Sequence, residues 1–457
     1  MTVRVFVSSL VVFFLLLLVT AVWAQGVEPY PDAITNRLFY AKTPMTPPAA
    51  NIPFADPDLG GLMVRVTNES SNPKVLGSYF RNPPEDVNIW SVDNHKFYVS
   101  GENTKNLAYS FDPETMTLGP LPGAGAGGAL IIPLHDGPTF SFLDPDLMYG
   151  TQQKHPLVIA TYRFSTGKVT PMFDMTTCNT VPPLVAGKKV SSSGNVLSDD
   201  DNRIVVSAGG NSFGSRPFVI VYDQKLGCRW YNTQTGQVGG TWGPTGQVSI
   251  ADRFKINHAK ISGNGQYVRI GVGQTGFYVW DVTSLNVAGC TTKGEPQFHC
   301  HGYSATGYST YINAPGIKDE LNTFRRPLSD LGNLDQLINP LPRPYYWGME
   351  KSFAWNNGRL NDNAPVCGTT YSPSGDQEVK QPYDGEIFCI ETDGLPSTVW
   401  RFAHNRAVWD PEYYWSLPLG NMSLDGRFFA FTSGWDLQLG TDNHGDPRTD
   451  VWILKLE

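Results

Sequence analysis

Charged residues are scarce. Asp, Glu, Lys and Arg make up 17% of the 457 residues, where about 25% is ordinary. Long amphipathic helices draw on Glu and Lys as well as Ala and Leu, so the shortage excludes an all-α fold. No run of Lys or Arg occurs and the net charge is −8, which argues against nucleic acid as a partner. The six cysteines contain no CxxC pair, which removes the common zinc-finger frameworks. HExxH and GxxxxGK[ST] are missing as well. The Gly-rich run GPLPGAGAGGAL at 119–130 has no helix pattern after it to cradle a phosphate. Ser193 in SSSGN has no strand–elbow–helix setting, so a nucleophile elbow is not expected.

Glycine, proline and aromatics are what the chain does have. It contains 46 Gly and 35 Pro, about half again the usual combined share of ~12%. Trp 12, Tyr 20 and Phe 24 supply enough bulk for a large core, which excludes disorder. Many short strands, tight turns and aromatic packing fit this balance, and such all-β folds fill well over 200 residues as one unit.

The N-terminus, MTVRVFVSSLVVFFLLLLVTAVWAQG, has one positive charge at Arg4 and then an apolar stretch. Val22 and Ala24 stand at −3 and −1 of a cleavage site before Gln25, so residues 1–24 read as a signal peptide. An uncleaved anchor is the alternative, because Val5 to Ala24 is just long enough to span a bilayer. The expectation is a secreted or periplasmic protein with no membrane span after cleavage. In that compartment six cysteines are most simply three disulfides, for which 15 pairings exist. Proximity favours Cys178–Cys228, Cys290–Cys300 and Cys367–Cys389.

Residues 25–60 are Pro-rich (KTPMTPPAANIPFADPD) and read as an extended arm; 61–457 reads as one domain. Three segments within it align: GNVLSDDDNRIVVSAGG from Gly194, NHAKISGNGQYVRIGVG from Asn257 and GNMSLDGRFFAFTSG from Gly420. Each is a strand, a Ser with an Asp/Asn/Gly turn, and a second strand. The SDDDN copy reads as one residue longer in its turn. With weaker copies between, about seven units of roughly 40–60 residues emerge, the signature of a β-propeller. Seven blades are expected, closed by pairing of GLMVRVT near 61–67 with the C-terminal TDVWILKLE.

The SLDG hairpin with FFAFTSGW resembles TolB-type and WD-repeat-like propellers. GCRWYNTQTGQVGG, HAKIS, GYSATGY, WNNG and YWSLPLGNMSLDGRFFAFTSGWDLQLG are together similar to a group of secreted bacterial propellers of unassigned function. At the level of fold the chain also resembles oligogalacturonate lyase, which implies a seven-bladed ring with a His-rich metal site. No lyase motif matches residue by residue.

In a propeller the innermost strands line a channel. On that basis His258, His301, Trp355, Asn356, His404 and Asn421 are the candidate ligand-binding residues. The bland reading is that they hold strands in register. A divalent metal ion is the candidate cofactor, with His258, His299, His301 and His404 as candidate ligands; His299 and His301 are spaced i, i+2 and share one face of a strand. The acidic turns SDDDN (198–202) and DNHGD (442–446) are weighed as Ca²⁺ loops, but neither fits an EF-hand and solvated turns suit them better. For β-elimination from a uronate, His258, His301, Tyr308 and Arg401 are the catalytic candidates: a cation neutralises the carboxylate and a His or Tyr takes the proton. WDPEYYW (409–415) and RPYYWGMEKSFAW (343–355) offer flat aromatic faces for sugar rings, against a plain role in packing between blades. Three functions stay open: a carbohydrate-binding propeller, a metal-assisted uronate lyase, and a structural or protein-interaction scaffold. An extracellular glycan or a protein is the expected partner.

Overall fold

The computed structural model describes residues 28–72, 77–83, 87–102, 105–125, 127–178, 196–209, 217–272, 276–291, 304–313, 323–337, 350–371, 381–410 and 412–457. The expected signal peptide, 1–24, lies outside the described residues, as do His299, Cys300 and His301.

Seven antiparallel sheets form a ring. The innermost strands of blades 2 to 7 are Leu134–Phe140, Val196–Leu197, His258–Ile261, Ser304–Thr306, Glu350–Ala354 and Gly420–Met422. Blade 1 is built on Phe80–Arg81 and the Trp90–Phe97 bridge. Adjacent inner strands touch, as Ser304–Thr306 does Glu350–Ala354 and the latter does Gly420–Met422.

The repeated Ser-x-Asp/Asn turn has a physical cause. In four blades the Ser hydroxyl donates to the carboxylate or amide oxygen two residues on: Ser91 to Asp93, Ser198 to Asp200, Ser262 to Asn264 and Ser423 to Asp425, at 2.6–2.7 Å. The same hydroxyl accepts the backbone N–H five residues on. The residue after the Asp or Asn is left-handed in every copy: Asn94, Asp201, Gly265 and Gly426. Gly, Asn and Asp are the residues that tolerate that conformation. The SDDDN turn is therefore not longer than the others; Asp201, at φ 57°, takes the glycine's place.

These turns are knitted into a belt on one face of the ring. Asp201 accepts from Phe142 N–H at 2.9 Å and from the Ser141 hydroxyl, joining blades 2 and 3. Asp199 N–H donates to Gly263 O, and Gly263 and Asn264 N–H donate to Gly307 and Tyr308 O, joining blades 3, 4 and 5. Asp362 accepts from Ser309, and Asn94 donates to Asp425 at 2.6 Å, linking blade 5 to 6 and blade 7 to 1.

The ring closes as expected. Leu62–Arg65 pairs antiparallel with Asp450–Lys455 in blade 7 (Met63 with Leu454, Val64 with Ile453, Arg65 with Trp452), and the arm's Phe54–Ala55 adds a further strand. An ion cluster around the fully buried Asp450 locks this pairing. Arg65 Nε and Nη2 donate to Asp450 Oδ2 at 2.9 and 2.6 Å, Thr67 donates to Oδ1 at 2.9 Å, and Arg448 Nη2 reaches both oxygens at 2.7 and 2.8 Å.

Aromatics fill the seams between blades. Trp90 lies among Phe97, Phe111 and Phe428, Trp280 meets Tyr231, and Trp435 stacks on Trp452 at 4.1 Å. Two expected disulfides are present: Cys178–Cys228 ties blade 2 to blade 3, and Cys367–Cys389 joins paired strands of blade 6. Cys290 is also disulfide-bonded.

Candidate functional site

At one end of the channel a side chain reaches across the axis. After the inner strand of blade 6, residues Asn357–Arg359 form a 3₁₀ turn. From it the Arg359 guanidinium donates to Ile261 O of blade 4 at 2.9 Å and to Leu197 O of blade 3, and it lies 5.5 Å from the Phe142 ring of blade 2. Blade 6 has only blades 5 and 7 as neighbours, so Arg359 must cross the axis. It is 1% exposed. A Cβ at Gly263 would stand 2.0 Å from Arg359 O, so the blade 4 turn needs glycine for this close approach. Burial and the adjacent Asp200 push the nearby Asp199 carboxyl above its usual range, while Arg359 pulls it back. On the same inner ring Asn356 and Asn421 both donate to Val87 O, at 3.3 and 2.5 Å, and Asn356 accepts Met422 N–H. Both expected ligand-binding asparagines thus come together, as inter-blade ties around the plug.

Away from the plug, at the start of the blade 4 inner strand, lies a basic seam. His258 and Lys260 alternate on His258–Ile261 and share a face. Lys260 pairs directly opposite Arg269, and both are buried. The Arg269 Nη1 lies 3.2 Å from His258 Nε2 and donates to Ser304 at 3.0 Å, while Nε donates to Thr306 at 3.1 Å. Its guanidinium stacks 5.1 Å from the Tyr311 ring. Sequence reasoning found His258 but missed Lys260 and Arg269. The cue available was a Lys and an Arg at mirrored places in one hairpin.

No family model and no curated protein matches the chain. Solved structures do. Oligogalacturonate lyase from Vibrio parahaemolyticus superposes with a TM-score of 0.55 at 11% identity, over 89% of this chain and 98% of that one. Oligogalacturonate lyase in complex with manganese gives 0.52 at 12% identity, over 91% and 98%. TolB from Acinetobacter baumannii gives 0.35 at 13% identity, over 72% and 69%, too low to carry an argument. The likeness is one of fold.

Other expected site residues lie elsewhere. Trp355 is a packing residue: it is buried, donates to Ala364 O at 2.7 Å and abuts Gly307 and Gly358. Tyr308 is exposed on the belt side, in the blade 5 turn. His404 and Arg401 occupy Val399–His404, the outermost strand of blade 6, not the channel. There Arg401 forks onto Glu386 at 2.7 and 2.5 Å and donates to Asn36 O and Leu38 O of the arm. The sequence placed these two residues near the axis because VWRFAH precedes the entry to the last blade; an outermost strand does so too. His404 therefore shares no site with His258. It faces the arm, with Nδ1 3.2 Å from Asp58 Oδ2 and 3.9 Å from Asp56 Oδ1.

Among the described residues the acidic turns hold no ion cluster. Asp200 caps its own turn, and Asp442 accepts His444 and Asp446 N–H. A GxSxG string, GNSFG at 210–214, does occur. It lies outside the described residues; the described elements on either side of it are both strands, Arg203–Ala208 and Phe218–Asp223.

Proposed function

We propose that the channel end away from the Arg359 plug binds an acidic oligosaccharide, with His258, Lys260 and Arg269 meeting its carboxylates. The observation that carries this is the direct pairing of a buried Lys with a buried Arg, His258 beside them, in a chain of net charge −8. A planar guanidinium held by Ser304, Thr306 and Tyr311 is pre-organised for a carboxylate fork. The two lyases similar in fold are named for oligogalacturonate, which belongs to this ligand class. The leader-like N-terminus and the bonded cysteines support action outside the cytosol.

Elimination from the bound uronate is the second reading, favoured by the same likeness. Arg269 would neutralise the carboxylate and His258 would take the adjacent proton; the electron pair left behind would form the C4–C5 double bond as the C4–O glycosidic bond breaks, the leaving oxygen taking a proton from water. A divalent metal, the cofactor expected from the sequence, finds no three-ligand group on the channel among the described residues.

Calorimetric titration with oligogalacturonate, a glucuronate oligomer and a neutral glucan tests the reading. Binding of an acidic oligomer, weakened at least tenfold in Arg269→Gln, is the expected result. No acidic ligand bound, or full affinity in both Arg269→Gln and Lys260→Met, would overturn it and leave a scaffold. Growth of near-ultraviolet absorbance from an unsaturated product would mark elimination.

A further inference from the structure

We infer that Asp56, Asp58 and His404 form a divalent-cation site that staples the N-terminal arm to the outer edge of blade 6. This inference is independent of the saccharide reading, because the three residues lie on the rim and not on the channel.

The three side chains place one ligand atom each within 4.8 Å of one another. His404 is fully buried, and neither ring nitrogen has a hydrogen-bond partner. Its Nδ1 points at two carboxylates, 3.2 Å from Asp58 and 3.9 Å from Asp56. Ligands about 2.1 Å from one ion are spaced by about 3.0 Å in an octahedron and 3.4 Å in a tetrahedron; the 3.2 Å gap to Asp58 matches a shared centre, and the 3.9 Å gap to Asp56 closes with a shift of about half an ångström. The carboxylates are held for this task. Asp56 Oδ1 accepts Asp58 and Leu59 N–H at 3.0 and 2.8 Å, and Oδ2 accepts His404 N–H at 3.2 Å. Asp58 accepts the Thr43 N–H at 2.8 Å and its hydroxyl at 2.5 Å. Such outer contacts fix the orientation of metal ligands and leave lone pairs free.

No Lys or Arg pairs with either carboxylate among the described residues. The cations on this seam, Lys42 and Arg406, are held by Asp436. Two adjacent carboxylates facing one imidazole carry up to two negative charges, which a divalent cation balances. One imidazole with two carboxylates suits Zn²⁺ or Mn²⁺; Ca²⁺ wants six to eight oxygens. Asp58, whose side chain is 10% exposed, gives the ion its way in. The arm is already placed there by Gly61, whose N–H donates to Phe402 O at 2.9 Å.

The test uses the full chain, stripped with EDTA and reloaded with Zn²⁺, Mn²⁺ or Ca²⁺, then freed of excess ion. Elemental analysis should find about one equivalent of Zn²⁺ or Mn²⁺ and little Ca²⁺. At free ion a hundred times Kd the folded-to-unfolded ratio should rise about 100-fold, which raises Tm by about 3 °C. Trypsin cleavage within the arm should slow in parallel. Asp58→Asn, the variant least exposed to a folding defect, should lose the bound equivalent and the Tm response with an unchanged far-ultraviolet spectrum. Wild type that retains neither Zn²⁺ nor Mn²⁺ would overturn the inference. So would an Asp58→Asn protein that keeps its ion, since the metal would then sit elsewhere.

Discussion

Asp450→Asn should unlock the ring closure. In the native protein one fully buried carboxylate receives five hydrogen bonds from Arg65, Thr67 and Arg448. Arg65 and Thr67 come from the N-terminal side of the closure and Asp450 from the C-terminal strand, so the cluster joins the two ends of the chain. The amide keeps the shape but removes the charge, stranding two guanidiniums whose side chains are only 10% and 5% exposed. Breaking a buried pair in this way costs about 3–5 kcal/mol. Glu69, 3.5 Å from Arg448 but 71% exposed, recovers a little, so about 3 kcal/mol is expected. With an unfolding entropy of ~2.1 cal/mol/K per residue over the 350 described residues, that is about 4 °C in Tm. Thermal unfolding by calorimetry reads it directly. Adding Arg65→Met to Asp450→Asn should cost much less than the sum of the single changes, because the stranded charge leaves with it. A Tm drop under 1 °C, or strict additivity, would refute the idea that this charge cluster holds the ring shut.

Three further outcomes follow from particular contacts. Burial pushes Asp201 up to about 6. Its folded value exceeds the unfolded one, so the native state prefers the protonated form; this contribution is fully present below about pH 3.9 and is lost as pH rises through about 6, some 2–3 kcal/mol. Asp201→Asn, which keeps the left-handed turn, should flatten the stability profile between pH 4 and 6 in denaturant titrations; an unchanged slope would discount the group. Replacing Cys178 and Cys228 by Ser frees a 50-residue separation and should cost about 4 kcal/mol by chain entropy, seen as a lower urea midpoint; an unaltered midpoint would mean that the blade 2–3 seam stands without its bridge. Arg359→Met leaves Ile261 O and Leu197 O without their donor and should cost about 3 kcal/mol; hydrogen exchange should rise at blades 3 and 4, and uniform protection would count against a plug across the axis.

The sequence by itself determined the architecture. Ser-x-Asp/Asn turns with a left-handed fourth residue are local chemistry, readable wherever Ser198, Ser262 and Ser423 stand, and their spacing counts the blades. Closure was legible too, because GLMVRVT stands ahead of the first repeat and TDVWILKLE at the end of the last. The two described disulfides followed from proximity of their cysteines. Tertiary structure decided which side of each blade a residue serves. VWRFAH reads the same on an inner or an outer strand, so His404 and Arg401 could not be assigned to the rim until pairing placed Val399–His404 last in its sheet. Asp56 and Asp58 are 348 and 346 positions from His404, and nothing local links them. Arg359 lies in an ordinary polar stretch, and only the ring's curvature carries it across the axis to three other blades. Turn chemistry acts within six residues and is written in the chain; a site built from distant segments depends on how the closed ring sets them side by side.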